Sequence, residues 1–140
     1  MTQFKPEGRP TVIPRIFTKD VAGVVGFMTS VFGAEGEIPA SAPADMRIGD
    51  SIIMVSDGGG VRAEQPACLY VYVEDIDEAW RRAIRAGALT IEEPADMPWG
   101  DRRATVQDPW GNSWQIATMI ASWAEMATDG PPQQSVQHGP

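Results

Sequence analysis

What most constrains this chain is that one order of signals occurs twice, in residues 11–56 and again in 67–118. Each stretch opens on an apolar strand that ends in an aspartate, Asp20 or Asp75. Each continues as an amphipathic helix that stops at a Gly-Ala pair, Gly33-Ala34 or Gly87-Ala88. Each closes on a turn, Gly49-Asp50 or Gly111-Asn112, that leads into a last apolar strand. A unit of about 50 residues that occurs only twice is too short an array for a solenoid. With 140 residues in all, the chain suits one core rather than two. The pattern predicts a single α+β domain over 11–118, built of two βαβββ modules, 11–57 and 67–118. Their strands form a curved mixed sheet around a cleft, which is a place for a small molecule.

Local signals place the elements. Residues 11–18 read as a strand weakened by Pro14. Residues 21–32 read as a helix, because Val21, Val24, Val25, Met28 and Phe32 recur at helical spacing, with Asp20 as N-cap and Gly33 just past the end. Short strands follow at 37–42, 45–48 and 51–55, and 57–66 reads as a flexible linker. The second copy gives a strand at 68–73 and a helix at 76–86, capped by Asp75, that buries Ile76, Ala79, Trp80, Ala83 and Ile84. Strands at 89–92, 103–107 and 113–118 complete it. Residues 1–10 read as a flexible N-terminal segment, and 119–128 include a short helix at 120–126. Residues 129–140 read as a disordered tail with too few apolar groups to offset the entropy of ordering it. The only histidine, His138, lies in that tail and is expected to do no chemistry.

Composition then excludes several functions. A formal charge of −8 argues against nucleic acid as a partner and favours, if anything, a cationic ligand. No apolar run approaches the ~20 residues that cross a bilayer, so no membrane partner is expected. The single cysteine, Cys68, rules out an internal disulfide and fits a reducing, cytoplasmic setting. Without a folded histidine there is no Ser-His-Asp or Cys-His pair. The run Gly58-Gly59-Gly60 lacks the Lys-Ser/Thr of a phosphate loop. The carboxylate runs at Glu74, Asp75, Asp77 and Glu78, and at Glu92 and Glu93, read as solvated faces. Glu92 or Asp101 would act as a base only if the cleft buried it.

Four further stretches carry a resemblance: Val-Phe-Gly-Ala-Glu (31–35), Ala-Gly-Ala (86–88), Pro-Trp-Gly-Asp-Arg (98–102) and Asp-Pro-Trp-Gly-Asn-Ser-Trp (108–114). Over 11–118 the chain resembles the vicinal oxygen chelate superfamily of glyoxalases, bleomycin-resistance proteins and extradiol dioxygenases. The Pro-Trp-Gly-Asp-Arg stretch followed by Asp-Pro-x-Gly-Asn is similar to its glyoxalase-like and bleomycin-resistance-like members. The resemblance implies paired βαβββ modules and a homodimer. It also implies four metal-ligand positions, which fall here on Ile13, Cys68, Gln115 and either Ile53 or Met54. None is histidine or carboxylate, whereas a catalytic transition-metal site needs about three nitrogen, carboxylate or thiolate ligands. No metal and no cofactor are therefore expected, with Cys68 a small buried hydrophobe and Gln115 a polar pocket residue.

What remains is a cleft with aromatic walls. In the family, Trp99, Trp110 and Trp114 lie on segments that border the cavity. Tyr70 and Tyr72 share one face of their strand. Arg102 and Arg103 must face opposite ways, one of them into the cleft, and Arg15 can reach the same cavity. The expected ligand-binding set is Trp99, Arg102, Trp110, Trp114, Gln115, Tyr70 and Arg15. Two functions compete. One is a metal-free, homodimeric protein that sequesters a small molecule. The other is an isomerase, epimerase or lyase that works by acid–base chemistry or with an atypical metal site.

Overall fold

The computed structural model describes residues 3–121. Most of the expected helix at 120–126, the tail at 129–140 and His138 lie outside the described residues. The two aspartates of the repeat do the same work. Asp20 accepts a hydrogen bond from the Gly23 N–H (2.9 Å) and Asp75 from the Glu78 N–H (3.1 Å). Each satisfies an amide that the first helical turn leaves without a partner. They start α1 (Val21–Phe32) and α2 (Ile76–Arg85). Helix α1 stops at Gly33, whose φ of 66° is cheap for glycine and strained for most other residues.

Strands β1 (Arg15–Phe17), β2 (Ala44–Ile48) and β3 (Ser51–Ser56) form the first sheet, in the order β1-β3-β2. Strands β4 (Cys68–Tyr72), β5 (Leu89–Asp96), β6 (Asp101–Gln107) and β7 (Ser113–Met119) form the second, in the order β4-β7-β6-β5. Both sheets are mixed, because each pairs its first and last strands in parallel. The repeat is visible in the register. Arg15 pairs with Met54 and Ile16 with Val55; in the second module Tyr70 pairs with Gln115 and Val71 with Ile116. The fold is thus α+β, with two helices on two mixed sheets.

The modules are not equal. The strand expected at 37–42 does not form. Glu35 makes one isolated bridge to Arg47, through N–H···O bonds of 3.0 and 2.8 Å, and the chain then leaves the sheet. Pro39 and Pro43 carry no amide hydrogen to continue a ladder. For the same reason β1 is confined to three residues after Pro14, which contributes only its carbonyl, to the Met54 N–H. The counterpart in the second module, β5, outruns the expected 89–92 and reaches Asp96. It is an edge strand whose register shifts accommodate Pro94. The expected linker at 57–66 contains a single 3₁₀ turn, Gly58–Gly60, and a bridge from Gln65 to Phe17.

The core is shared by both modules. Helix α1 buries Val24, Val25 and Met28, as its spacing predicts, and also Phe27 and Val31. The last two meet the other module. The Phe27 ring lies 6.1 Å from that of Trp114, and the Val31 carbonyl accepts two hydrogen bonds from the Arg82 guanidinium (3.1 and 3.0 Å). Helix α2 buries a narrower face, Ile76, Ala79 and Ala83. Ile84, expected in the core, is 39% exposed, and Trp80 is half-buried with its indole N–H on the Thr90 hydroxyl (3.0 Å).

Candidate functional site

Side chains alternate across a strand, so the register assigns each residue of the second sheet to a face. Ala104, Val106, Trp114 and Ile116 are fully buried on the side of the helices. The opposite face carries Cys68, Tyr70 and Tyr72 of β4, Gln115 of β7, Asp101, Arg103 and Thr105 of β6, and Glu92 of β5. Among the described residues no helix covers this open face. It holds mainly polar and aromatic groups, whereas the buried centre of the helix side is apolar.

These groups are joined. Asp101 is fully buried and accepts hydrogen bonds from the hydroxyls of Tyr70 (2.6 Å) and Tyr72 (2.8 Å), both on Oδ2. The two rings stand edge to face with centroids 5.5 Å apart and are 39% and 54% exposed. The indole N–H of Trp99 donates to the Tyr70 oxygen (3.4 Å), and the Arg103 guanidinium lies 5.3 Å above the Trp99 ring. Arg103 donates to Glu92 (3.0 Å), which also accepts from the Thr105 hydroxyl. Burial, and then the hydrogen bond to Asp101, push the Tyr70 phenol above its ordinary 10.0, so it stays a donor. Among the described residues two buried side-chain atoms have no hydrogen-bond partner, Asp101 Oδ1 and Arg103 Nε. Buried polar groups are nearly always paired, so both mark this face as unusual. Tyr70 and Tyr72 also border a hollow of about 940 Å3 along the free edge of β4, whose far wall is made by Pro10, Val12, Pro14 and the turn at 49–51.

The structure brings three of the seven expected ligand-binding residues, Tyr70, Trp99 and Gln115, to this face. The other four stand elsewhere. Trp114 is fully buried on the helix side, between Phe27 and Phe32. Its indole N–H donates to Asp108 (2.9 Å). Trp110 braces the modules: its ring meets Phe27 and its indole N–H reaches Asp20, the N-cap of α1 (2.9 Å). Arg102 faces the helix, paired with Asp77 (3.1 Å) and Asp96 (3.0 Å); it is Arg103 that points to the open face. Those pairings, Asp77 first, raise the Arg102 guanidinium above its ordinary value. Arg15 belongs to the first sheet. It donates to Ser56 (3.1 Å), stacks 4.7 Å from the Phe17 centroid, and lines a separate hollow of about 800 Å3 made of first-module and linker residues. The hollow beside β4 is lined by both modules, with Phe32, Tyr70 and Tyr72 as its aromatic members, while Trp110 and Trp114 lie outside it.

Sequence reasoning had no means to join Tyr72, Asp101, Arg103 and Thr105 into one cluster. The available signal was the alternation along 101–107, once the start of β6 is set at Asp101 rather than 103. Cys68, expected to be buried, is exposed at the start of β4.

The register also fixes the four positions assigned to a metal. Met54 is opposite Arg15 as Gln115 is opposite Tyr70, so Met54, not Ile53, is the open-face residue; Ile53 is in the core. The set is Ile13, Met54, Cys68 and Gln115, with one thiol as its only strong donor. Among the described residues no group of three His, Cys, Asp or Glu could hold a metal ion. This donor set does not fit a transition-metal centre.

Known proteins share this fold. The structure of TioX from Micromonospora sp. ML1 matches with a TM-score of 0.65 at 26% identity, over 79% of this chain and 99% of that one. A glyoxalase/bleomycin resistance protein/dioxygenase family enzyme from Burkholderia phytofirmans PsJN matches with a TM-score of 0.64 at 22% identity, over 76% and 95%; at that identity the likeness is one of fold. The Uncharacterized protein Mb0911c of Mycobacterium bovis is 28% identical over 128 residues, 79% of this chain and 84% of its own length. Residues 11–116 match the family model for the Glyoxalase/Bleomycin resistance protein/Dioxygenase superfamily, and with most of the chain inside that match, the protein belongs to this superfamily.

Proposed function

We propose that the protein binds and sequesters a small organic molecule, without a metal, on the open face of its second sheet. One observation carries this reading. Two half-exposed tyrosines and Trp99 surround a fully buried carboxylate, Asp101, one of whose oxygens has no partner. An unpaired buried carboxylate lowers stability, and such costs concentrate at functional sites. Aromatic side chains offer stacking area together with a polar handle. The adjoining hollow of about 940 Å3 lies in the size range of small-molecule sites.

A homodimer completes the site in this reading. Among the described residues no helix packs on the open face of either sheet, and Arg15 and Cys68 are exposed there. A second copy would cover them with a self-complementary contact. The enzymatic alternative, acid–base turnover as an isomerase, epimerase or lyase, has Asp101 as its candidate base.

The test is titration of a compound panel by tryptophan fluorescence and calorimetry, with recovery of each bound compound for mass analysis. Trp99→Ala is expected to weaken binding by about 1–3 kcal/mol, the usual cost of losing an aromatic anchor, and the compound is expected back unchanged. Equal affinity in Trp99→Ala would remove this face from the site, and conversion of the compound would replace sequestration by turnover.

A further inference from the structure

The open face of the second sheet carries an uncompensated negative charge. Glu92 is balanced by Arg103 at 3.0 Å. Asp101 has no such partner: among the described residues no lysine or arginine forms an ion pair with it. Among the described residues its carboxylate accepts only the two tyrosine hydroxyls, which are neutral, and Oδ1 accepts nothing. In a site of low dielectric constant an unneutralised carboxylate attracts a cation strongly.

The groups in front of Asp101 suit a particular kind of cation. A phenol that donates its proton to a carboxylate becomes richer in electrons, which strengthens the negative potential on the ring face. Tyr70 and Tyr72 both donate to Asp101, and their rings lie side by side and partly exposed. Trp99 is tied to the Tyr70 oxygen, and its own face already carries a guanidinium, that of Arg103. Aromatic groups set around a cation with a carboxylate behind them recognise organic ammonium ions, whose diffuse charge and weak hydration let them leave water easily. The cation an anion would need on this face, the Arg103 guanidinium, is already paired with Glu92 (3.0 Å) and stacked on Trp99.

We propose that Tyr70, Tyr72 and Trp99, backed by Asp101, receive an organic ammonium group of the quaternary or alkylated amine type. This rests on the binding reading above and names the chemical class of the ligand.

The test compares choline with 3,3-dimethylbutan-1-ol, which has the same shape without the charge. Affinities are measured by ligand-observed NMR and calorimetry on the full chain. Choline is expected to bind at least about tenfold more tightly than the alcohol, and Asp101→Asn to abolish that preference. Tyr72→Leu, which removes one ring and one donor to Asp101, is expected to weaken choline about tenfold while keeping a folded circular dichroism spectrum. Equal affinity for choline and the alcohol overturns the proposal. So does a preference that survives in folded Asp101→Asn, or unchanged choline binding in Tyr72→Leu should Asp101→Asn not fold. Benzoate serves as the third arm. If benzoate binds in a Trp99-dependent way and choline does not, the ammonium assignment falls while small-molecule binding stands. If none of these compounds nor the wider panel binds, both fall.

Discussion

At the scale of single residues, a motif can be read correctly and still mean something other than ligand contact. Asp108 is 3% exposed and accepts four hydrogen bonds: from the backbone N–H groups of Trp110 and Asn112, the Asn112 amide and the Trp114 indole. Asn112 in turn accepts the Ala67 N–H (2.9 Å), which ties the turn to the residue that leads into β4. The Asp-Pro-Trp-Gly-Asn stretch is therefore a structural knot. Asp108→Ala leaves these donors without an acceptor and is expected to destabilise the protein by about 3 kcal/mol or more, read by urea denaturation. A cost below about 1 kcal/mol would contradict the network. Tyr70 allows a second check. Its phenol is held above 10.0 by burial first and Asp101 second. A raised folded-state value means that stability from this group is present below pH 10.0 and is lost as pH rises through the folded value. The chain has two tyrosines, so in Tyr72→Phe the ultraviolet titration reports Tyr70 alone. The expected midpoint lies above 10.0 and falls on Asp101→Asn; a midpoint at or below 10.0 in the Tyr72→Phe protein would remove the burial argument.

At the scale of elements, α1 and α2 differ in what covers them. Helix α1 is apolar on two sides because the second module packs on the side that its own sheet leaves open, through Phe27, Val31 and Trp114. The contact explains Gly23, where a Cβ would strike both the Asp20 carboxylate and the Trp110 indole. Helix α2 is instead held at its solvent edge by Arg102, which reaches from β6 to Asp77. The hydrogen bonds from Arg102 are the main cause that lowers the Asp77 carboxyl below its ordinary 3.8. A lowered folded-state value contributes stability that is present above 3.8 and lost as the pH falls through the folded value. Asp77→Asn is thus expected to be slightly less stable than wild type at neutral pH, since the pair is largely exposed and screened. The gap should close as the pH drops below 3.8. A gap that persists unchanged in acid would show that Asp77 acts through packing instead.

At the scale of the whole molecule, the two modules join through α1, α2 and one common core, and among the described residues no helix covers the outer face of either sheet. The first face offers Arg15 and Phe17, and the second offers Tyr70 and Tyr72 at equivalent places in the repeat. Two open faces in a 15.2 kDa chain are the physical ground for the proposed dimer. Light scattering at micromolar concentration is expected to return twice the chain mass, and a monomer there would contradict a dimeric site.

The periodicity of 21–32, the aspartate caps, the Gly33 stop and the repeat of two βα units are local properties of neighbouring residues. They were legible in the chain and imply the α+β fold. So was the misfit of the metal positions, because donor chemistry belongs to the residue type. Tertiary structure alone decided which residues share a face. It placed Trp114 and Trp110 in the joint between modules, chose Arg103 over Arg102 and Met54 over Ile53, and seated Asp101 beneath two tyrosines from 29 and 31 residues away. The reason lies in the pleat. A one-residue change in where a strand begins reverses the face of every side chain after it, and only pairing with neighbouring strands sets that register.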